Sequence, residues 1–129
     1  MVRKPSNHPT DAELAILTVI WDRGRATVRE VHAVLEGTSG VGYTTVLKTL
    51  QIMTDKGLVR RDETSRAHVY EATSSREDAQ RGLVGDLVDR AFAGSAARLA
   101  MQALAGGQAS SEEIAAIRRL LDSLEEDES

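Results

Sequence analysis

The chain has 129 residues, 41% hydrophobic and 28% charged, which fits one ordinary domain or two very small ones. Its lack of cysteine excludes disulfides, thiol catalysis and cysteine-ligated metal sites, and the scarcity of aromatic residues (Trp21, Tyr43, Tyr70 and Phe92) makes any core mainly aliphatic. A net charge of −4 argues against bulk coating of nucleic acid, and no stretch resembles a signal peptide or approaches the roughly 18 to 20 apolar residues of a membrane span, so a cytoplasmic protein with no membrane insertion is expected.

Thr10, Asp11, Ala12 and Glu13 form a capping box, in which the threonine hydroxyl and the glutamate carboxylate each accept the other residue's backbone N–H. This predicts a helix over about 11–23, with Leu14, Leu17 and Trp21 at helical spacing, Ile16 and Ile20 alongside, and Gly24 at its end. Thr27, Val28, Arg29 and Glu30 repeat the device and open a short helix lined by Val28, Val31 and Leu35, which Gly37 is expected to end. The glycine-rich loop "EGTSGVG" leads to a third helix from about Thr44 to Lys56, stopped at Gly57 by a left-handed cap.

At about 100° per residue the third helix turns Val46, Leu50 and Met53 toward a core, with Leu47 and Thr54 beside them. The opposite face carries Thr44, Thr45, Lys48, Ile52 and Asp55, with Thr49 at its margin. Next, "LVRRDETSRAHVYEA" places β-branched and aromatic residues on either side of a polar turn near Glu63 to Arg66 and reads as a β-hairpin. Three short helices and a basic-edged hairpin make a winged helix-turn-helix, whose third helix enters the DNA major groove.

Hydroxyls at a helix start suit that task. They donate to phosphates, bond either kind of base edge, and in threonine offer a methyl to a thymine methyl. The plainer reading is that the threonines only cap the helix, that Lys48 is solvated, and that Asp62 and Glu63 cancel the hairpin arginines. The preceding two-helix unit and the following arginines favour DNA. The candidate DNA-binding residues are therefore Thr44, Thr45, Lys48, Thr49, Arg60, Arg61 and Arg66. Ile52 either meets a thymine methyl or deoxyribose, or tucks between the first two helices.

From Ser75 the chain reads as three helical pieces: "SREDAQRGLVGDLVDRAF", a segment from Ser95 to about Leu104, and "SEEIAAIRRLLDSLEE" from Ser111. Gly82 and Gly85 weaken the first by roughly 1 kcal/mol each relative to alanine. These 55 residues are too few to bury their apolar stripes alone, so a second copy of the chain is expected to cover Leu83, Leu87, Val88, Phe92, Ile114, Ile117, Leu121 and Leu124. The expected fold is mainly α with a small β-hairpin wing: a winged helix-turn-helix over 1–74, followed by a helical dimerisation region over 75–129. Charge divides similarly, at +1 for residues 1–74 and −5 for 75–129.

"DAELAILTVIWDRGRATVREVHAVL", "YTTVLKTLQIMTDKGLVRR" and "RAHVYEA" resemble the penicillinase repressor (BlaI/MecI) family of bacterial transcriptional regulators, over about residues 9–125 and most specifically over 11–72. The resemblance implies a homodimer that represses genes from palindromic operators, often with TACA/TGTA half-sites. It also implies a membrane sensor and protease system that leads to cleavage of the repressor between an asparagine and a phenylalanine. Here the only asparagine is Asn7 and the only phenylalanine, Phe92, follows Ala91. Ile52 stands where the family commonly has arginine.

An enzyme has little to work with. His8, His32 and His68 lack metal-ligand spacing, and the adjacent acids Glu112-Glu113 and Glu125-Glu126 do not face one another on a helix. No phosphate loop or nucleophile motif is present, so no enzymatic activity, metal or cofactor is expected. The reading is a homodimeric, sequence-specific repressor that binds double-stranded operator DNA and is released by an unidentified signal. The alternative is a winged-helix protein-interaction module without DNA binding, and a small ligand in the helical half stays open.

Overall fold

The computed structural model describes residues 8–128, so Asn7 and most of the amino-terminal segment lie outside the described residues. Helix α1, Asp11–Arg23, starts on the expected box: Thr10 Oγ1 accepts the Glu13 N–H at 3.2 Å and the Glu13 carboxylate accepts the Thr10 N–H at 2.8 Å. It buries Ile16, Leu17, Val19 and Ile20 and stops at Gly24, whose φ of +86° suits a residue without Cβ.

Helix α2, Val28–Ser39, has the second box, with Thr27 and Glu30 exchanging bonds of 3.2 and 2.9 Å. Its end departs from expectation. Gly37 lies inside the helix, and Gly40, at φ +68°, ends it by donating its N–H to the Glu36 carbonyl at 3.1 Å. Glycine tolerates a helical backbone, and the Thr38 and Ser39 hydroxyls both donate to the Leu35 carbonyl, so the last turn survives.

Helix α3, Tyr43–Asp55, turns Val46, Leu50 and Met53 fully inward, as the 100° step requires. It closes as a Schellman motif, in which Leu58 N–H bonds the Met53 carbonyl at 2.9 Å, Gly57 N–H bonds Thr54 at 3.1 Å, and Gly57 takes φ +79°. Strands β2, Val59–Asp62, and β3, Val69–Ala72, form the hairpin with Arg60 opposite Glu71 and Arg61 opposite Tyr70.

The hairpin is joined by a third strand. Ahead of α2, Ala26–Thr27 forms β1 and pairs antiparallel with β3, giving the order β1-β3-β2. Two residues show no periodicity, which hid this strand in the sequence. The pairing packs Ala26 and Tyr70 into the core with Ile20, Val31, Leu50 and Val59, anchoring the wing to the helices.

Helices α4, Arg76–Ala91, α5, Ala96–Ala105, and α6, Ser111–Glu128, complete the chain. Each begins on a serine, Ser75, Ser95 or Ser110, whose hydroxyl accepts the N–H of the residue three further on. The chain divides into two compact units between Val84 and Gly85, inside α4. The start of α4 belongs with the first unit, where Trp21 Nε1 donates to the Ser74 carbonyl at 3.0 Å and the Arg76 guanidinium lies 5.8 Å from the Trp21 ring centroid while pairing with Asp22. Among the described residues, no helix is long and apolar enough to cross a membrane.

Candidate nucleic-acid interface

The face of α3 away from the core has one chemical peculiarity at its start. Helices α1 and α2 are closed by threonine side chains, but the N-cap of α3 is Gly42, which has no side chain to bond the first amides. The first hydrogen bond of the helix runs from Val46 N–H to the Gly42 carbonyl at 3.2 Å, so the amides of the preceding turn point outward. Thr44 and Thr45 are exposed there, and their hydroxyls bond none of the described residues. Amides, hydroxyls and the positive end of the helix dipole thus converge where an anion binds well.

The threonines are therefore not caps. Lys48, one turn on, is exposed and pairs with no carboxylate among the described residues. Thr49 differs: it is half-buried and its hydroxyl donates back to the Thr45 carbonyl at 2.7 Å, leaving oxygen lone pairs to face outward. Ile52 lies exposed on the outer face and does not tuck between α1 and α2.

The wing's arginines divide into two groups. Arg60 is 3.6 Å from Glu71, Arg61 pairs with Glu63, and Arg25, from the turn before β1, reaches Asp62 at 3.1 Å and Glu71 at 3.6 Å. A hydrogen bond to Tyr70 and then the charge of Glu63 raise the Arg61 pKa. The Thr64 N–H and hydroxyl, followed by Arg25, hold Asp62 below its ordinary pKa and shape the wing turn. Arg66 is exposed and pairs with none of the described carboxylates. Exposed pairs of this kind are weak, so a phosphate can replace the carboxylate readily.

An open groove of about 430 Å³ runs between the starts of α2 and α3 and the wing, lined by Thr27, Arg29, Tyr43, Arg66 and His68 among others. Arg29 and Tyr43 are absent from the residues chosen from sequence. A signal for Arg29 did exist: a cation in the first turn of a helix opposes the macrodipole, which asks for another reason to be there. The His32 ring meets Tyr43 edge-on at 5.7 Å and holds it at the groove.

The far end of α3 is anchored by a buried charge. Glu13 is 3% exposed, the one buried charged residue among the described residues, and its Oε1 accepts from Lys56 Nζ at 2.7 Å as well as from the Thr10 N–H. Burial works to raise the Glu13 pKa, but the bonds from Lys56 and Thr10 outweigh it and the net direction is down. One carboxylate therefore caps α1 and fixes the residue that ends α3. Its first role was legible in the sequence and its second was not.

Among the described residues, no group of three or more His, Asp or Glu side chains is arranged to hold a metal ion. Residues 9–123 match the penicillinase repressor family. The chain is 34% identical over 116 residues to the transcriptional regulator BlaI of Mycobacterium tuberculosis, covering 89% of this chain and 83% of that protein. The solution structure of the DNA-binding domain of the repressor BlaI superposes with a TM-score of 0.51 at 28% identity, over 59% of this chain and 93% of that one. A mutant of Escherichia coli MarR bound to operator DNA, at 20% identity, a TM-score of 0.51 and coverage of 90% and 75%, shares the fold alone. With its winged helix and matched length, the chain belongs to the penicillinase repressor family, whose members are transcriptional regulators and not enzymes.

Proposed function

We propose that this DNA-binding transcriptional repressor acts as a homodimer on a two-fold symmetric operator, each copy laying α3 in the major groove of one half-site. The observation that carries the reading is the uncapped start of α3, where Thr44, Thr45 and Lys48 face outward with no structural task. Thr44 and Thr45 serve the first base edges and phosphates, Lys48 a phosphate or guanine, and Thr49 a base through its methyl and oxygen lone pairs. Arg66 reaches the backbone beside the wing, and Arg60 and Arg61 join it by exchanging Glu71 and Glu63 for phosphates. The relatives named for BlaI, one a repressor's DNA-binding domain, support the same assignment.

Dimerisation is assigned to residues 75–129, with the DNA-binding domain over 1–74. No residue from 75 to 128 is buried, and Leu87, Leu121 and Leu124 are about half exposed, an apolar surface that one copy leaves uncovered. Leu83, Val88, Phe92, Ile114 and Ile117, which are half-buried, complete the expected interface. Two copies then read half-sites about one helical turn, or a multiple of it, apart. An inducing signal releases the dimer, and because no Asn-Phe bond exists in this chain, cleavage at that bond has no part in the proposal.

A gel shift and footprint on DNA upstream of this protein's gene and its neighbours, comparing wild type with Thr45→Ala and Lys48→Ala, tests the reading. A protected two-fold site that both substitutions weaken is expected. No protection at low salt by a folded dimer would overturn the proposed mode of action and favour a protein-interaction module.

A further inference from the structure

One side chain on the outer face of α3 has a chemistry unlike its neighbours. Ile52 is 53% exposed, the most exposed large hydrophobic residue described in the first unit, and it stands among Thr45, Lys48, Gln51 and Asp55. Ile52 is seven residues from Thr45, which returns it to within about 20° of the same direction and about 10.5 Å further along the axis. That distance is about three base-pair steps of DNA, so one helix laid in the groove presents both side chains to the same stretch of bases.

Placed there, a branched aliphatic side chain can form no hydrogen bond, and the apolar feature of the major-groove edge is the C5 methyl of thymine. Resting on the DNA-binding reading above, we infer that Ile52 is a specificity-determining residue that reads one thymine per half-site by packing on its C5 methyl. The polar neighbours fix phosphates and other base edges. Ile52 distinguishes thymine from cytosine, adenine and guanine at one position by apolar contact alone. Removing that methyl while keeping every hydrogen-bonding group tests the contact directly, and deoxyuridine does so.

The experiment uses the full chain and the operator found by footprinting, with each thymine replaced singly by deoxyuridine, and compares wild type with Ile52→Ala and Ile52→Val. Loss of one methyl from a buried apolar contact should weaken wild-type binding about fourfold at one thymine of each half-site. At that thymine Ile52→Ala should be indifferent to uracil and Ile52→Val should respond in part. Thr44, Thr45 and Thr49 also carry methyls, so only a uracil effect that disappears in Ile52→Ala counts in favour. Uracil effects of equal size in wild type and Ile52→Ala, or none at any thymine, would overturn the inference while leaving the repressor intact. A footprint in which folded wild type protects no site at low salt would overturn both. Matching thermal melts show that Ile52→Ala folds, as an exposed position should.

Discussion

Replacing Lys56 by methionine strips the buried Glu13 carboxylate of its counter-charge and is expected to weaken the whole DNA-reading unit. Breaking a buried ion pair by removing one partner typically costs about 3 to 5 kcal/mol. Here Lys56 is 26% exposed and Glu13 keeps the Thr10 amide at 2.8 Å, so about 2 kcal/mol at pH 7 is the better figure. Glu13→Gln should cost only about 1 kcal/mol, because an amide oxygen can still accept the Thr10 N–H and Lys56 can turn to water. The pH dependence has a definite sign. Lys56 and Thr10 overcome burial to depress the folded-state pKa of Glu13, so the stability it contributes is present above the ordinary carboxylate value of 4.5 and is lost as pH falls through the folded value. Without Lys56 the folded pKa is higher, so the deficit of Lys56→Met must narrow on acidification. Urea midpoints followed by circular dichroism at pH 7 and pH 4 measure this, and other carboxylates cancel in the difference. Equal midpoints for Lys56→Met and wild type, or a deficit that stays constant with pH, would refute the reasoning.

Lys48→Ala should lower the magnitude of the slope of log affinity against log salt by about 2, as expected for one lost phosphate contact in each copy of the dimer, and an unchanged slope would remove Lys48 from the backbone. Glu71→Gln releases Arg60 and Arg25 from the carboxylate that each reaches at 3.6 Å. It should raise affinity for operator and unrelated DNA alike by about two- to fivefold at low salt, within the range of an exposed ion pair; unaltered binding in gel shifts would mean the wing does not approach the backbone. Leu121→Asp puts a charge on a half-exposed apolar position of α6, and sedimentation should find a monomer with weakened operator binding. A Leu121→Asp protein that stays dimeric would place the interface elsewhere.

The helical elements were legible because their signals are local. Thr10 with Glu13, Thr27 with Glu30, and Gly57 each act within one turn, and the inward set Val46, Leu50 and Met53 follows from helical geometry alone. What escaped the sequence depends on partners distant in the chain. Strand β1 exists because β3, some 43 residues later, offers it a hydrogen-bonding edge. The second role of Glu13 exists because the fold brings Lys56 to it. The end of α2 was misplaced for a different reason: glycine both stops helices and tolerates them, and the choice between Gly37 and Gly40 rests on which adopts positive φ. At the candidate interface, the exposed hydroxyls and Lys48 were visible as a pattern, but only the folded chain separates the paired Arg60 and Arg61 from Arg66, or bonds Thr49 back to its own helix.

Local stability and the recognition proposed for α3 compete at one position, the third of the helix. That position is Glu13 in α1, Glu30 in α2 and Glu113 in α6, and each carboxylate accepts the N–H of its own cap. In α3 the same slot holds Thr45 and the cap is Gly42. A glutamate there would stabilise the helix through the Gly42 N–H and the macrodipole, and would also set a negative charge against the phosphates this helix is proposed to approach. Thr45→Glu should therefore separate two properties that most surface substitutions change together. Folding stability should rise by about 0.5 kcal/mol, seen as a later urea midpoint, as a first-turn acid normally provides. Operator affinity should fall by tenfold or more in the same preparation, at about 1.4 kcal/mol for each factor of ten. If Thr45→Glu binds like wild type, the start of α3 does not face DNA. If stability and binding fall together, the threonine supports the fold after all.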